Sequence, residues 1–109
     1  MGNPISKINK TFESRIRLGI MSILMVNTSV DFNYLKDILE ITDGNLASHL
    51  KALECEEMIS VSKQFIGRKP NTSYSATSNG RKVFSIHLQA LEALIQQQNF
   101  NDTDKTILT

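Results

Sequence analysis

The stretch "ITDGNLASHLKALE", residues 41–54, decides how the rest of the chain is read. Leu46, Leu50 and Leu53 recur at intervals of four and three, the spacing of one buried helical stripe. Thr42 is the natural N-cap of that helix, which is predicted to run to about Glu57. Its outward positions near the start are Gly44, Asn45, Ala47, Ser48 and His49, where a surface helix usually carries Lys and Glu. The front of the outer face is therefore short, polar and nearly uncharged. Such a face lets another molecule come close.

Upstream, Asp31 caps a shorter helix at about 32–39 that places Phe32, Leu35, Ile38 and Leu39 inward. The very short link to the next helix makes the pair a helix-turn-helix. Earlier still, residues 5–26 are predicted to be one helix. Phe12, Ile16, Ile20, Ile23 and Leu24 form its main face, and Leu18, Met21 and Met25 widen it. Val30 suits a short strand in the break that follows.

Downstream, "ISVSKQFI" alternates Ile59, Val61 and Phe65 with Ser60, Ser62 and Gln64, the pattern of a half-buried strand. "GRKPNT" punctuates a turn, and "SYSAT" supplies a returning strand. The expected hairpin carries Gly67, Arg68, Lys69 and Pro70 at its tip, with Phe65 and Tyr74 in its core. A last helix at roughly 78–98, capped by Thr77 or Ser78, holds Phe84, His87, Leu88, Leu91, Leu94 and Ile95 in a near-heptad stripe. At 1.5 Å per residue it spans about 30 Å, more than a small protomer covers by itself. The same helix of a second subunit is the simplest cover, the first helix the other.

The 109-residue chain is expected to form one domain over 1–100, with a flexible polar tail at 101–109. No apolar run approaches the ~18 residues of a membrane span, and "MGNPISKINK" lacks a secretory apolar segment, so a cytoplasmic location is expected. Cys55 alone cannot form an internal disulfide and leaves too few soft ligands for structural zinc. The neighbouring sequence offers no base to activate it, so a small buried residue is the plainer reading than a redox sensor. No cofactor or metal is expected. Neither histidine has a nucleophile or carboxylate arranged around it, and there is no phosphate loop, so an enzyme is the weakest reading.

The net charge is only +1, but its distribution is uneven. From Ser60 through Leu91 there is no Asp or Glu, while Lys63, Arg68, Lys69, Arg81 and Lys82 all fall there. That is the footprint of an anionic partner.

The element order helix, helix, helix, strand, wing, strand, helix is that of a winged helix: mainly α with a β-hairpin wing, an α+β architecture. "FESRIRLGIMSIL", "VDFNYLKDILEITDGNLASHLKALE" and "ISVSKQFIGRKPNTSYSATSNGRKVF" resemble the small winged-helix transcriptional regulators related to the MarR and ArsR groups. The likeness runs from about Phe12 to Leu94. It is closest to stand-alone regulators whose third helix begins Thr-Asp-Gly-Asn, here Thr42 to Asn45. The resemblance implies a homodimer on operator DNA, with the third helix in the major groove, the wing on the backbone or minor groove, and terminal helices dimerising. ArsR metal sensors carry a cysteine pair near the third helix; the single Cys55 departs from that pattern.

By position, Thr42, Gly44, Asn45, Ser48 and His49 fall on the reading helix, and Arg68 and Lys69 on the wing. Asn can pair in bidentate fashion with adenine, and Ser serves several bases. His49 is open between a phosphate contact and packing under the wing; Asp43 between accepting from cytosine and pointing away. Lys63, Arg81 and Lys82 are expected on backbone phosphates, with Arg15 and Arg17 either joining them or merely solvated. Phe84, His87, Leu88, Leu91, Leu94 and Ile95 are expected at the dimer seam. The sequence reading is thus a dimeric, sequence-specific regulator of double-stranded DNA, acting as a repressor at a palindromic site. A protein-interaction winged helix without DNA binding is the alternative. Any small-molecule effector would have to bind between helical layers or at the dimer cleft.

Overall fold

The computed structural model describes residues 3–101. Four helices and three strands follow in the order α1 (Arg15–Met25), β1 (Val30–Asp31), α2 (Phe32–Leu39), α3 (Asp43–Cys55), β2 (Ile59–Ile66), β3 (Lys69–Ala76) and α4 (Ser78–Asn101). The winged-helix order is present. Residues 102–109, most of the expected polar tail, lie outside the described residues.

The N-terminal region departs from the expected single helix. Two 3-10 turns, Pro4–Lys7 and Lys10–Glu13, precede α1. Asn3, Asn9 and Ser14 are each extended, and their side chains accept from the backbone N–H groups of Ile5, Thr11 and Arg17. Short polar side chains compete in this way with the helix ladder, so three successive caps divide what apolar periodicity alone would join.

α2 and α3 match their expected starts. Asp31 Oδ1 accepts from Tyr34 N at 2.8 Å, and Thr42 Oγ1 accepts from Asn45 N at 3.2 Å. α3 ends two residues before the expected Glu57. There Glu57 takes φ 60° and Met58 N donates to Leu53 O at 2.9 Å, closing a left-handed cap.

The sheet has strand order β1-β3-β2, all antiparallel. Tyr74 sits at its centre, opposite Val30 on one side and Val61 on the other. β3 begins at Lys69, four residues earlier than expected, because Ile66 already pairs with Lys69. Only Gly67 and Arg68 form the turn, with Gly67 at φ 67°. Lys69 and Pro70 belong to the strand, not the tip.

Phe12, Ile16, Ile20, Met21, Leu24, Leu35, Leu46, Leu50, Leu53, Met58, Ile59, Tyr74 and Phe84 make one core. Ile38 and Phe65, expected inward, are exposed. Cys55 is exposed as well. Ile38 lies one turn past Leu35, near the C-terminal end of α2, and Phe65 lies beyond Val61, the last partly buried position of β2.

The segment Thr77–Arg81 is a joint. Thr77 Oγ1 donates to Glu57 O at 2.7 Å and accepts from Gly80 N at 2.8 Å, while Thr77 N donates to Met58 O at 3.0 Å. A Cβ on Gly80 would fall 2.0 Å from Met58 O, so only glycine lets α4 start against that backbone.

Candidate nucleic-acid interface

Thr42, Asp43, Gly44, Asn45, Ala47 and Ser48 are all exposed at the N-terminal half of α3. Gly44 has open space around it: an added Cβ would meet nothing within 4 Å. Neither Asn45 nor Ser48 engages its side chain in a hydrogen bond among the described residues. The expected reading face is therefore unobstructed. Asp43 makes a 2.8 Å ion pair with Lys36 across the helix-turn-helix link. That bond and the charge of Asp43 raise the pKa of Lys36.

His49 is half-buried and held. Arg17 Nε donates to its Nδ1 at 3.1 Å. The acceptor nitrogen must be unprotonated, which leaves the proton of the neutral ring on Nε2. Burial, then the adjacent Arg17 charge, lowers the His49 pKa and keeps the ring neutral. The same guanidinium reaches Glu56 Oε2 at 3.6 Å, and Glu56 Oε1 accepts from Thr11 Oγ1 at 2.5 Å. Arg17 thus ties the middle and the C-cap of α3 to α1, and Glu56 extends the tie to Thr11 of the N-terminal segment. Nothing in its spacing marked that role, which requires α1 and α3 to be adjacent in space.

On the wing, Lys63, Arg68 and Lys69 are exposed. Arg81 corrects the expectation of a phosphate contact. Its Nη1 donates to Met25 O at 3.2 Å and its Nη2 to Leu24 O at 3.3 Å, so the side chain caps the C-terminus of α1.

Two of the expected dimer residues also lie elsewhere. Phe84 is 2% exposed and His87 4%, both enclosed within the protomer. The Phe12 ring meets Phe84 edge-on at 4.9 Å and lies 5.1 Å from His87. His87 Nδ1 accepts from Asn9 N at 3.1 Å. The extended Ile8–Asn9 link puts the N-terminal segment over this part of α4, which an unbroken first helix would not have done. Leu88, Leu91 and Ile95 remain exposed, joined by Ile86, with Leu94 partly so.

Residues 16–95 match the family model described as a winged helix DNA-binding domain. The chain belongs to that family. This winged helix is 37% identical over 79 residues to the uncharacterized protein MJ0432 of Methanocaldococcus jannaschii, covering 72% of the present chain and 86% of that protein. It also superimposes on the transcriptional regulator homologue of Pyrococcus horikoshii with a TM-score of 0.80 at 28% identity, covering 90% and 99% of the two chains. A MarR-family structure from Porphyromonas gingivalis shares the fold, with TM-score 0.63, 24% identity, and 76% and 80% coverage. The winged helix is thus a DNA-binding regulator fold, and among its described residues no helix is long and apolar enough to cross a membrane.

Proposed function

We propose that the protein is a sequence-specific transcriptional repressor that binds a palindromic duplex as a homodimer. The observation that carries this reading is the open surface at Gly44, Asn45, Ala47 and Ser48 on the second helix of a helix-turn-helix. A helix seated in the ~12 Å major groove must bring its N-terminal turn close to base edges, and long outward side chains would hold it off. Asn45 pairs with adenine in this reading, Ser48 adapts to its base, and His49 Nε2–H donates to a base or phosphate. Thr42 and the free N–H groups of the first turn favour a phosphate at the helix N-terminus. Lys63, Arg68 and Lys69 hold the backbone and the adjacent minor groove.

Two copies pair through the exposed face of α4, using Leu88, Leu91, Leu94 and Ile95. They set their α3 helices about one DNA turn, ~34 Å, apart. A regulator of chromosomal promoters would work in the cytoplasm. Repression needs only that a promoter be occupied.

Selection of bound duplexes from a random pool at physiological salt tests this reading. It should return two inverted half-sites spaced by one turn. Enrichment of no duplex, or an affinity that does not change with salt, would refute it, because neutralised phosphates impose a steep salt dependence.

A further inference from the structure

The outer half of the β2–β3 hairpin carries apolar groups that the protomer leaves uncovered. Phe65 is 74% exposed and Ile66 is 66% exposed, immediately before the Gly67–Arg68 turn. As consecutive strand residues they project from opposite faces of the ribbon. Phe65 pairs with Pro70 and shares its face with Lys63; Ile66 pairs with Lys69 on the other. Each face of the wing therefore presents one large apolar group together with one cation, and Arg68 stands at the tip between them.

A flat protein surface covers one face of a ribbon and leaves the other in water. A groove encloses both. The two walls of a DNA groove each offer apolar sugar faces below a phosphate rim, the complement of an apolar group beside a cation. No acidic residue occurs from Ser60 through Leu91 to oppose a polyanion. Size adds a further condition. A sheet with side chains on both faces is about 10 Å thick, whereas the minor groove is about 6 Å wide. The ribbon cannot enter to the depth of Phe65 and Ile66 unless the groove opens.

We propose that the wing is an apolar wedge: Phe65 and Ile66 press the two walls of the minor groove apart, so the protein reads the deformability of the sequence beside its half-site. This rests on the DNA-binding reading above and deepens it. Flexible pyrimidine–purine steps open readily, while stiff, narrow A-tracts resist. The wedge thus gives selectivity at base pairs that no side chain hydrogen-bonds. Apolar side chains that enter the minor groove commonly kink the duplex as well.

The test uses the full chain and duplexes sharing the selected half-site, with either a TA/CA-rich or an A-tract segment under the wing. Affinity is read by anisotropy and bending by energy transfer between the duplex ends. The flexible duplex should bind about tenfold more tightly and bend on binding. Phe65→Ser with Ile66→Ser should abolish both the tenfold preference and the bend while preserving discrimination for the half-site. Both side chains are exposed, so the melting temperature should not change. Equal binding of the two flanks, preference for the A-tract, or an unaltered preference in the double variant would overturn the wedge. The last result would remove the apolar pair from the groove. These outcomes leave half-site binding intact, whereas failure to bind any duplex would sink the DNA-binding reading itself.

Discussion

Both terminal nitrogens of Arg81 bond the last carbonyls of α1, Nη1 to Met25 O at 3.2 Å and Nη2 to Leu24 O at 3.3 Å. A cation at a helix C-terminus satisfies orphan carbonyls and complements the dipole. Arg81→Ala should therefore lower unfolding stability by about 1–2 kcal/mol in urea titrations. It should leave the salt dependence of DNA binding unchanged. Arg68→Ala should do the reverse, reducing the salt slope by about one counterion without altering stability. A reduced slope in Arg81→Ala would return that residue to the DNA.

The exposed start of α3 separates stability from binding at a single position. Among the described residues nothing requires glycine at 44, since a Cβ there meets open space. Gly44→Gln should fold at least as well, gaining up to about 0.5 kcal/mol from helix propensity. It should nevertheless bind the selected duplex at least tenfold more weakly, as the longer side chain holds the helix off the base edges. Equal binding by this variant would show that α3 does not approach a groove. Gly80→Ala is the contrasting case, its methyl colliding with the Met58 carbonyl.

Asn9 N donates to His87 Nδ1 at 3.1 Å, a bond that only an unprotonated ring nitrogen can accept. Burial holds the His87 pKa below its ordinary value of 6.5. The unfolded chain therefore takes up a proton on acidification before the folded protein does. Stability should be level above about pH 7.5, fall as pH drops through 6.5, and level again once folded His87 protonates. His49, lowered by burial and by Arg17, contributes with the same sign. Urea titrations across this range should show a shallower slope for His87→Gln, which can present an acceptor without titrating. An identical slope would remove His87 from the linkage.

How far the fold could be read depended on whether a signal was local. Thr42 and Asp31 cap their helices through side-chain bonds three residues away, so α2 and α3 began where expected. The first helix failed because apolar spacing survives across Ser14, where the backbone does not stay helical. The site divided along the same line. Exposure at Asn45 and Ser48 follows from the phase of α3 relative to Leu46 and Leu50. Arg81 and Arg17 act on carbonyls and side chains far away in sequence, and their positive charge alone could not tell a helix cap from a phosphate contact. Phe65 was misplaced because alternation gives its face but not where the body beneath that face ends.

The α3 terminus carries a correctable strain. Glu57 adopts φ 60° with a side chain present, the conformation glycine supplies most readily. Glu57→Gly should preserve the Met58 N to Leu53 O bond and raise stability by about 0.5–1 kcal/mol, seen as a higher urea midpoint at constant slope. A lowered midpoint would mean that the flexibility given to the unfolded chain outweighs the relief of strain.

The exposed remainder of the α4 stripe separates assembly from folding. Leu91 is 38% exposed and Ile95 61%, whereas Phe84 on the same helix is 2% exposed. Leu91→Asp with Ile95→Asp places charge only where the protomer leaves apolar surface uncovered. The double variant should remain folded by circular dichroism, sediment as a monomer, and bind a two-half-site duplex at least tenfold more weakly, because linked half-sites no longer reinforce one another. Its affinity for a single half-site should change little. Phe84→Ala should instead cost about 3–5 kcal/mol of folding stability by opening a cavity beside Phe12. A double variant that still sediments as a dimer would place the subunit contact off this face of α4, and the one-turn half-site spacing would then need a different origin.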